Sequence, residues 1–141
     1  MPARAAAGFT LLELLVVLVV MGMLAAILTP QVMNMMSGAK SDAAGLQIET
    51  LTTALNYYQI DVGAYPSQEQ GLKALLQRPP EVQNWRGPYI RKEQHLLDPW
   101  RRPFLYQVPG RNGPFDLTTL GADGKEGGEG ENADIGNWTR H

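Results

Sequence analysis

The amino-acid sequence predicts an α+β fold in which one long N-terminal helix packs on a small antiparallel sheet. An apolar run at residues 9–28 passes into an amphipathic stretch that ends near Asp61, which is typical of a single long helix. Two short segments rich in aromatic and aliphatic residues, 104–108 and 115–120, have the composition of strands joined by a turn. An acidic, glycine-rich loop at residues 120–135 then leads into a short apolar and aromatic tail, which is a possible third strand.

The apolar run from Phe9 to Leu28 is long enough to cross a membrane as a helix. Its twenty residues would rise roughly 30 Å, which is the thickness of a bilayer's hydrocarbon core. Glu13 is the only ionisable residue in the run, and an unpaired carboxylate there is costly, so we expect it to have a partner. Gly8 stands before the run, whereas a signal peptidase I site would follow it, so the apolar segment is expected to survive processing.

Beyond the apolar run the helix is expected to continue to Asp61 with one irregularity at Pro30. A proline removes one backbone hydrogen bond and crowds the preceding turn, so the helix either kinks or melts locally there. The later part has an apolar face that we expect to pack on the sheet, and Gly63 is a suitable left-handed cap. The residues that set this face are Leu51, Leu55 and Tyr58. A helix of this length, roughly 80 Å, exceeds what so short a chain can bury, so it must contact lipid or other subunits.

The segment after the long helix contains turn signals and aromatic anchors. Ser67 and Gln70 have the spacing of a capping box, which predicts a short helix that stops before Pro79. Trp85 and Trp100 are interpreted as fillers of a small core rather than as ligand-stacking residues.

Composition excludes several classes of function. The chain has 12 basic and 14 acidic residues, a net charge of −2, which gives no basis for a nucleic-acid-binding surface. It has no cysteine, so no disulfide can stabilise a small domain, and a metal ion is the obvious substitute. His95 and His141 are the only histidines, and no catalytic arrangement can be built around them, so we do not expect an enzyme.

The loop at residues 120–135 carries five acidic side chains and one lysine. Such a composition fits a solvated, disordered loop. It also fits a site for a hard cation, because Ca²⁺ takes six to eight oxygens and glycines let backbone carbonyls turn inward. The spacing does not match an EF-hand. The acidic residues are Asp123, Glu126, Glu129, Glu131 and Asp134.

Residues 8–13, Gly-Phe-Thr-Leu-Leu-Glu, and the apolar run that follows resemble the class III signal of type IV pilins and type II secretion pseudopilins. The resemblance implies that a prepilin peptidase cuts between Gly8 and Phe9 and methylates the new N-terminus. It also implies that Glu13 supports assembly, since its carboxylate can pair with the free amine of Phe9 on a neighbouring subunit. The alternative is an ordinary anchor with an incidental glutamate.

Two further stretches resemble the major (G-type) pseudopilin family of type II secretion systems. They are Tyr-Pro-Ser-Gln-Glu-Gln-Gly-Leu-Lys-Ala-Leu at residues 65–75 and the sequence from Leu-Gly-Ala-Asp-Gly to Ala-Asp-Ile-Gly-Asn-Trp at residues 120–138. The resemblance implies a calcium loop at 120–135. Its ligands would be the side chains of Asp123 and Asp134 and the carbonyls of Leu120 and Lys125. The family usually has Asp-Pro-Trp-Gly where this chain has Arg101, which is strained if its φ is positive.

The resemblance implies a type IV pilin-like fold in three parts: a leader at 1–8, a transmembrane and filament-core helix at 9–30, and a periplasmic domain at 31–141. It implies a single-pass inner-membrane protein that polymerises into a helical periplasmic filament and drives export of folded proteins through an outer-membrane secretin. The implied partners are further copies of itself, minor pseudopilins, the prepilin peptidase, an inner-membrane assembly platform, the secretin and its cargo. The alternatives are a type IV pilin of a surface fibre and a membrane-anchored calcium-binding module that never polymerises.

Overall fold

The computed structural model describes residues 8–139, apart from the side chains of 29–31, 33, 34 and 37. Most of the predicted leader, residues 1–7, lies outside this part. The chain divides after Met36 into two compact units. The first contains the apolar part of the long helix, and the second contains the rest of that helix, the sheet and the loops.

The long helix, α1, extends from Leu11 to Val62 without interruption. The helix continues through Pro30, so the local melting that the sequence left open is not observed. A proline removes only one backbone hydrogen bond, and the remaining bonds can hold the helix. The window from Leu11 to Leu28 has a mean hydropathy of 2.9, and none of it is buried against protein. By length and composition this window can cross a membrane.

The C-terminal part of α1 supplies one wall of the core in the second unit. The three predicted core residues are buried, and Leu55 has no exposed surface at all. On the other side of this core lie Leu75, Phe115 and Leu117. The helix ends at Val62, and Gly63 takes a φ of 93°, as predicted. The α1 residues buried in this core are Ala44, Ile48, Leu51, Ala54, Leu55 and Tyr58.

A three-stranded antiparallel sheet with the order β1-β2-β3 confirms the predicted α+β architecture. The strands are β1 (Leu105–Gln107), β2 (Asp116–Thr119) and β3 (Ile135–Gly136). Tyr106 pairs with Leu117, and Thr119 pairs with Ile135. The outer edge of β1 is covered by the side-chain amide of Gln68, which donates to the Tyr106 carbonyl at 2.7 Å.

The capping box predicted after the long helix is present. The Ser67 hydroxyl accepts from the Gln70 amide at 3.2 Å, and the Gln70 side chain accepts from the Ser67 amide at 3.0 Å. The helix that follows, Gly71–Leu75, is a 3₁₀ helix. Further 3₁₀ helices are Glu93–Leu96 and Gly130–Asn132.

A tight turn around Asp98 leads into β1. Asp98 is only 4% exposed. It accepts from the backbone amides of Trp100 and Arg102 at 2.9 and 2.8 Å and from the Thr119 hydroxyl at 2.5 Å. Arg101 has a positive φ of 67°, so its backbone is strained, as expected for a residue other than glycine at this position of the turn. Trp100 packs against the core as predicted, and so does Trp85.

Candidate functional sites

The N-terminal site begins with a capping box that the sequence analysis missed. Glu13 Oε2 accepts hydrogen bonds from the amide of Thr10 at 2.9 Å and from its hydroxyl at 3.2 Å. The Glu13 amide donates in return to Thr10 Oγ1 at 3.2 Å. Two amides at the start of α1 are thereby satisfied. The Thr-x-x-Glu spacing was present in the sequence and could have identified this box.

The capping box leaves Gly8 and Phe9 ahead of the first helical turn. Both residues are exposed, and Phe9 is 86% exposed. Glu13 is exposed too, and within residues 8–139 no basic group lies at ion-pair distance from its carboxylate. The bond predicted to be cleaved is therefore accessible, and the predicted partner of Glu13 remains a prediction about a second subunit.

The acidic loop brings two of its four predicted ligands to one cavity. Leu120 and Asp134 line this cavity, together with Glu126 and Gly127. Asp134 Oδ2 accepts from the Gly127 amide at 2.9 Å, whereas Asp134 Oδ1 is buried and has no hydrogen-bond partner among the described residues 8–139. A buried carboxylate oxygen without a donor is costly. A cation at this oxygen would remove that cost, so the donor set fits a metal here.

The other two predicted ligands, Asp123 and Lys125, do not line this cavity. Asp123 is exposed, and its Oδ1 accepts from the Lys125 amide at 3.0 Å. The carbonyl of Leu120 accepts from the Gly124 amide at 3.2 Å. Within the described part of the chain no three acidic or histidine side chains are grouped as a metal cage. Any cation here would depend on backbone carbonyls for much of its coordination, which calcium accepts.

The loop is folded on itself. The Ala122 amide donates to the Glu131 carbonyl at 2.8 Å, which brings the two arms of the loop together. Glycine is required where the arms meet: a Cβ on Gly121 or Gly128 would fall 2.6 or 2.5 Å from the backbone of Asn132. Both glycines also have a positive φ. This close approach keeps the Leu120 and Asp134 ends of the loop near each other.

Two family models match consecutive parts of the chain. A model described as "Type II secretion system (T2SS), protein G" matches residues 31–138. A model described as "Prokaryotic N-terminal methylation motif" matches residues 3–29, the segment that contains the capping box.

Curated relatives match nearly the full length of the chain. The chain is 48% identical over 142 aligned positions to the type II secretion system core protein G of Pseudomonas aeruginosa, covering 98% of this chain and 99% of the relative. It is 45% identical to the core protein G of Vibrio cholerae, covering 96% and 93% of the two chains. Among solved structures, the major pseudopilin of the type 2 secretion system of enterohaemorrhagic Escherichia coli matches with a TM-score of 0.60 and 35% identity, covering 71% of this chain and 87% of that one.

Proposed function

The chain belongs to the protein G family of type II secretion systems, the major pseudopilins, and is a subunit of a type II secretion pseudopilus; we propose that it polymerises into a periplasmic filament which drives folded proteins through an outer-membrane secretin. The observation that carries the proposal is the wholly exposed apolar window of α1, Leu11–Leu28. Such a surface must be covered by lipid before assembly and by neighbouring helices after it. We therefore assign the subunit to the inner membrane, with residues 31–141 in the periplasm.

Processing at Gly8 would create the charge that assembly uses. Cleavage by a prepilin peptidase exposes the amine of Phe9, and the match to the N-terminal methylation motif supports methylation there. The contacts between Glu13 and Thr10 use Oε2 of the carboxylate. Within the described residues both hydrogen bonds of this carboxylate end at Oε2, so Oε1 can accept from the Phe9 amine of a neighbouring subunit while the capping box stays intact. The pair would neutralise both charges inside the filament.

Calcium is proposed as the resident ion of the acidic loop. The ligands would be the carboxylates of Asp123 and Asp134 and the carbonyls of Leu120 and Lys125. The unpartnered Oδ1 of Asp134 supports this assignment, and so does the fact that Asp134 and Leu120 line the same cavity. For Asp123 to bind the ion, its carboxylate must give up the hydrogen bond that it accepts from the Lys125 amide. When bound, the ion would supply charge compensation and tie the end of β2 to the start of β3.

The other implied partners follow from the same proposal: minor pseudopilins, an inner-membrane assembly platform, the secretin and its cargo. No enzymatic activity is proposed, since the family is a structural one. The alternatives of a surface pilin or an anchored module that never polymerises are not favoured, because the relatives are named as secretion-system core proteins.

Complementation tests the proposal directly. A host that lacks its own core protein G should regain secretion of its type II substrates when it expresses this chain, and electron microscopy should show periplasmic filaments built from it. The control is the same host without the chain. Inserted protein that forms no filaments, in a host whose other secretion components are intact, would contradict polymerisation as its function.

A further inference from the structure

The side chain of Arg102 reaches from the Asp98 turn to the beginning of the acidic loop. Its Nη2 lies 3.3 Å from Asp98 Oδ2, and the side chain is 33% exposed. The same nitrogen donates to the carbonyl of Gly121. The guanidinium carbon lies over the Trp100 ring, 5.5 Å from its centroid, which is the distance of a cation–π contact. Arg102 therefore joins two segments that are nineteen residues apart in sequence.

The Asp98 end of this link is firmly held. Asp98 is nearly fully buried, and its carboxylate also accepts from two backbone amides of its own turn and from the Thr119 hydroxyl of β2. A guanidinium presents its donors in a fixed planar fork. An arginine anchored in this way on Asp98 and lying over Trp100 has little freedom at its far end.

The far end of Arg102 supports the turn that carries two predicted calcium ligands. In this turn the Gly124 amide donates to the Leu120 carbonyl at 3.2 Å. A Cβ built on Gly124 would clash with Arg102 Nη1, so the guanidinium lies directly against the turn's backbone. Leu120 begins this turn, and Asp123 lies within it.

We propose that Arg102 is a positioning residue that keeps the backbone of the Leu120–Gly124 turn ordered before a cation arrives. The inference rests on the proposed calcium site. Ordering a glycine-rich turn costs backbone entropy, and a turn that is already ordered binds its ion more tightly. The positive charge of Arg102 does not oppose this effect strongly, because Asp98 compensates it at 3.3 Å.

Calorimetric titration with CaCl₂ of the full-length protein in detergent micelles tests the proposal. Arg102→Met should raise the Kd for Ca²⁺ about tenfold. Arg102→Lys keeps the charge but lacks the planar group that lies over Trp100 and against Gly124, so it should also weaken binding. Arg101→Met is the matched control: it removes the same charge from the neighbouring, exposed residue and should change the Kd less than twofold. An unchanged or lower Kd in Arg102→Met would overturn the proposal.

Amide hydrogen exchange in the metal-free protein gives a second readout that does not require calcium. The Gly124 amide should exchange several-fold faster in Arg102→Met than in the unmodified protein, whereas the Leu117 amide in β2 should keep its rate. Equal acceleration of both amides would indicate a general loss of stability and would refute positioning. If the protein without substitutions shows no heat with calcium, the proposed calcium site is wrong. The role of Arg102 is refuted separately if the Gly124 amide exchanges at the same rate in Arg102→Met as in the protein without substitutions. Should Arg102→Met not fold, Arg102→Lys carries both tests.

Discussion

Asp134→Asn should abolish calcium-dependent stabilisation and leave the metal-free protein almost unchanged. The asparagine oxygen can still accept the Gly127 hydrogen bond that Asp134 Oδ2 accepts at 2.9 Å. The substitution therefore removes the negative charge and puts an amide NH₂ in place of the unpartnered Oδ1, so one polar group is left unpaired with either residue. Without that charge a cation loses one of its two predicted side-chain ligands.

The size of the effect follows from linkage. A ligand that binds only the folded state stabilises it by about 2.7 kcal/mol at a hundredfold excess over its Kd. In a domain of roughly 100 residues, 1 kcal/mol shifts the melting temperature by about 4 °C. The unmodified protein should therefore melt roughly 10 °C higher in calcium than in chelator. Asp134→Asn should lose most of this difference, and its melting temperature in chelator should match that of the unmodified protein.

Thermal melts followed by tryptophan fluorescence measure this difference on the full-length protein in detergent micelles. Limited proteolysis should agree with the melting temperatures: cleavage between Leu120 and Trp138 should be faster whenever calcium is removed. Asp123→Ala should behave like Asp134→Asn. Glu129→Gln is the matched control, because it removes one charge from an exposed side chain of the same loop and should keep the calcium response.

Three outcomes would contradict the role of Asp134 as a calcium ligand. If the unmodified protein melts at the same temperature in calcium and in chelator, and titration shows no heat, the loop binds no calcium. If Asp134→Asn keeps the full calcium shift, Asp134 is not a ligand. If the variant melts several degrees lower in chelator, Asp134 stabilises the loop by itself rather than through an ion.

Three further predictions concern the N-terminal motif and the Asp98 turn. Intact-mass analysis of protein from its native host should show a chain that starts at N-methylated Phe9, and an unprocessed start at Met1 would contradict cleavage. Glu13→Gln retains an oxygen for the Thr10 amide but has no charge. The variant should therefore insert in the membrane and assemble few filaments, as Glu13→Ala should. Normal filaments from the glutamine variant would show that capping alone is needed. Arg101→Gly should raise the melting temperature by a few degrees, because it relieves the strain of a positive φ of 67°, which costs on the order of 1 kcal/mol. A lower melting temperature of this variant in denaturation scans would count against strain at Arg101.

Local periodicity was enough to predict the main elements of this fold. The helix, its Gly63 cap, the Ser67 capping box and the strands are each encoded within a few residues. A hydrophobic face repeats every turn, and a cap depends on residues three positions apart. The capping box of Thr10 and Glu13 has the same local signature, so it too can be predicted from the sequence.

Contacts between distant segments could not be predicted in this way. The Gln68 side chain donates to the carbonyl of Tyr106 in β1, 38 positions away. The Arg102 side chain donates to the carbonyl of Gly121, 19 positions away. A sequence pattern states which side chains can donate, but it does not state which backbone carbonyl will be within reach. That depends on how the loops pack around the shared core.

Residue types and their spacing suffice to predict a membrane-length apolar helix with one carboxylate, a small sheet and an acidic glycine loop. The arrangement of the loop's oxygens depends on contacts between segments that are distant in sequence. Antiparallel pairing of β2 with β3 brings Leu120 and Asp134 to one cavity, while the Asp123 side chain accepts the amide of Lys125. The physical reason is that the oxygens come from both ends of the loop, and their separation is fixed by strand register and by glycine contacts rather than by residue type.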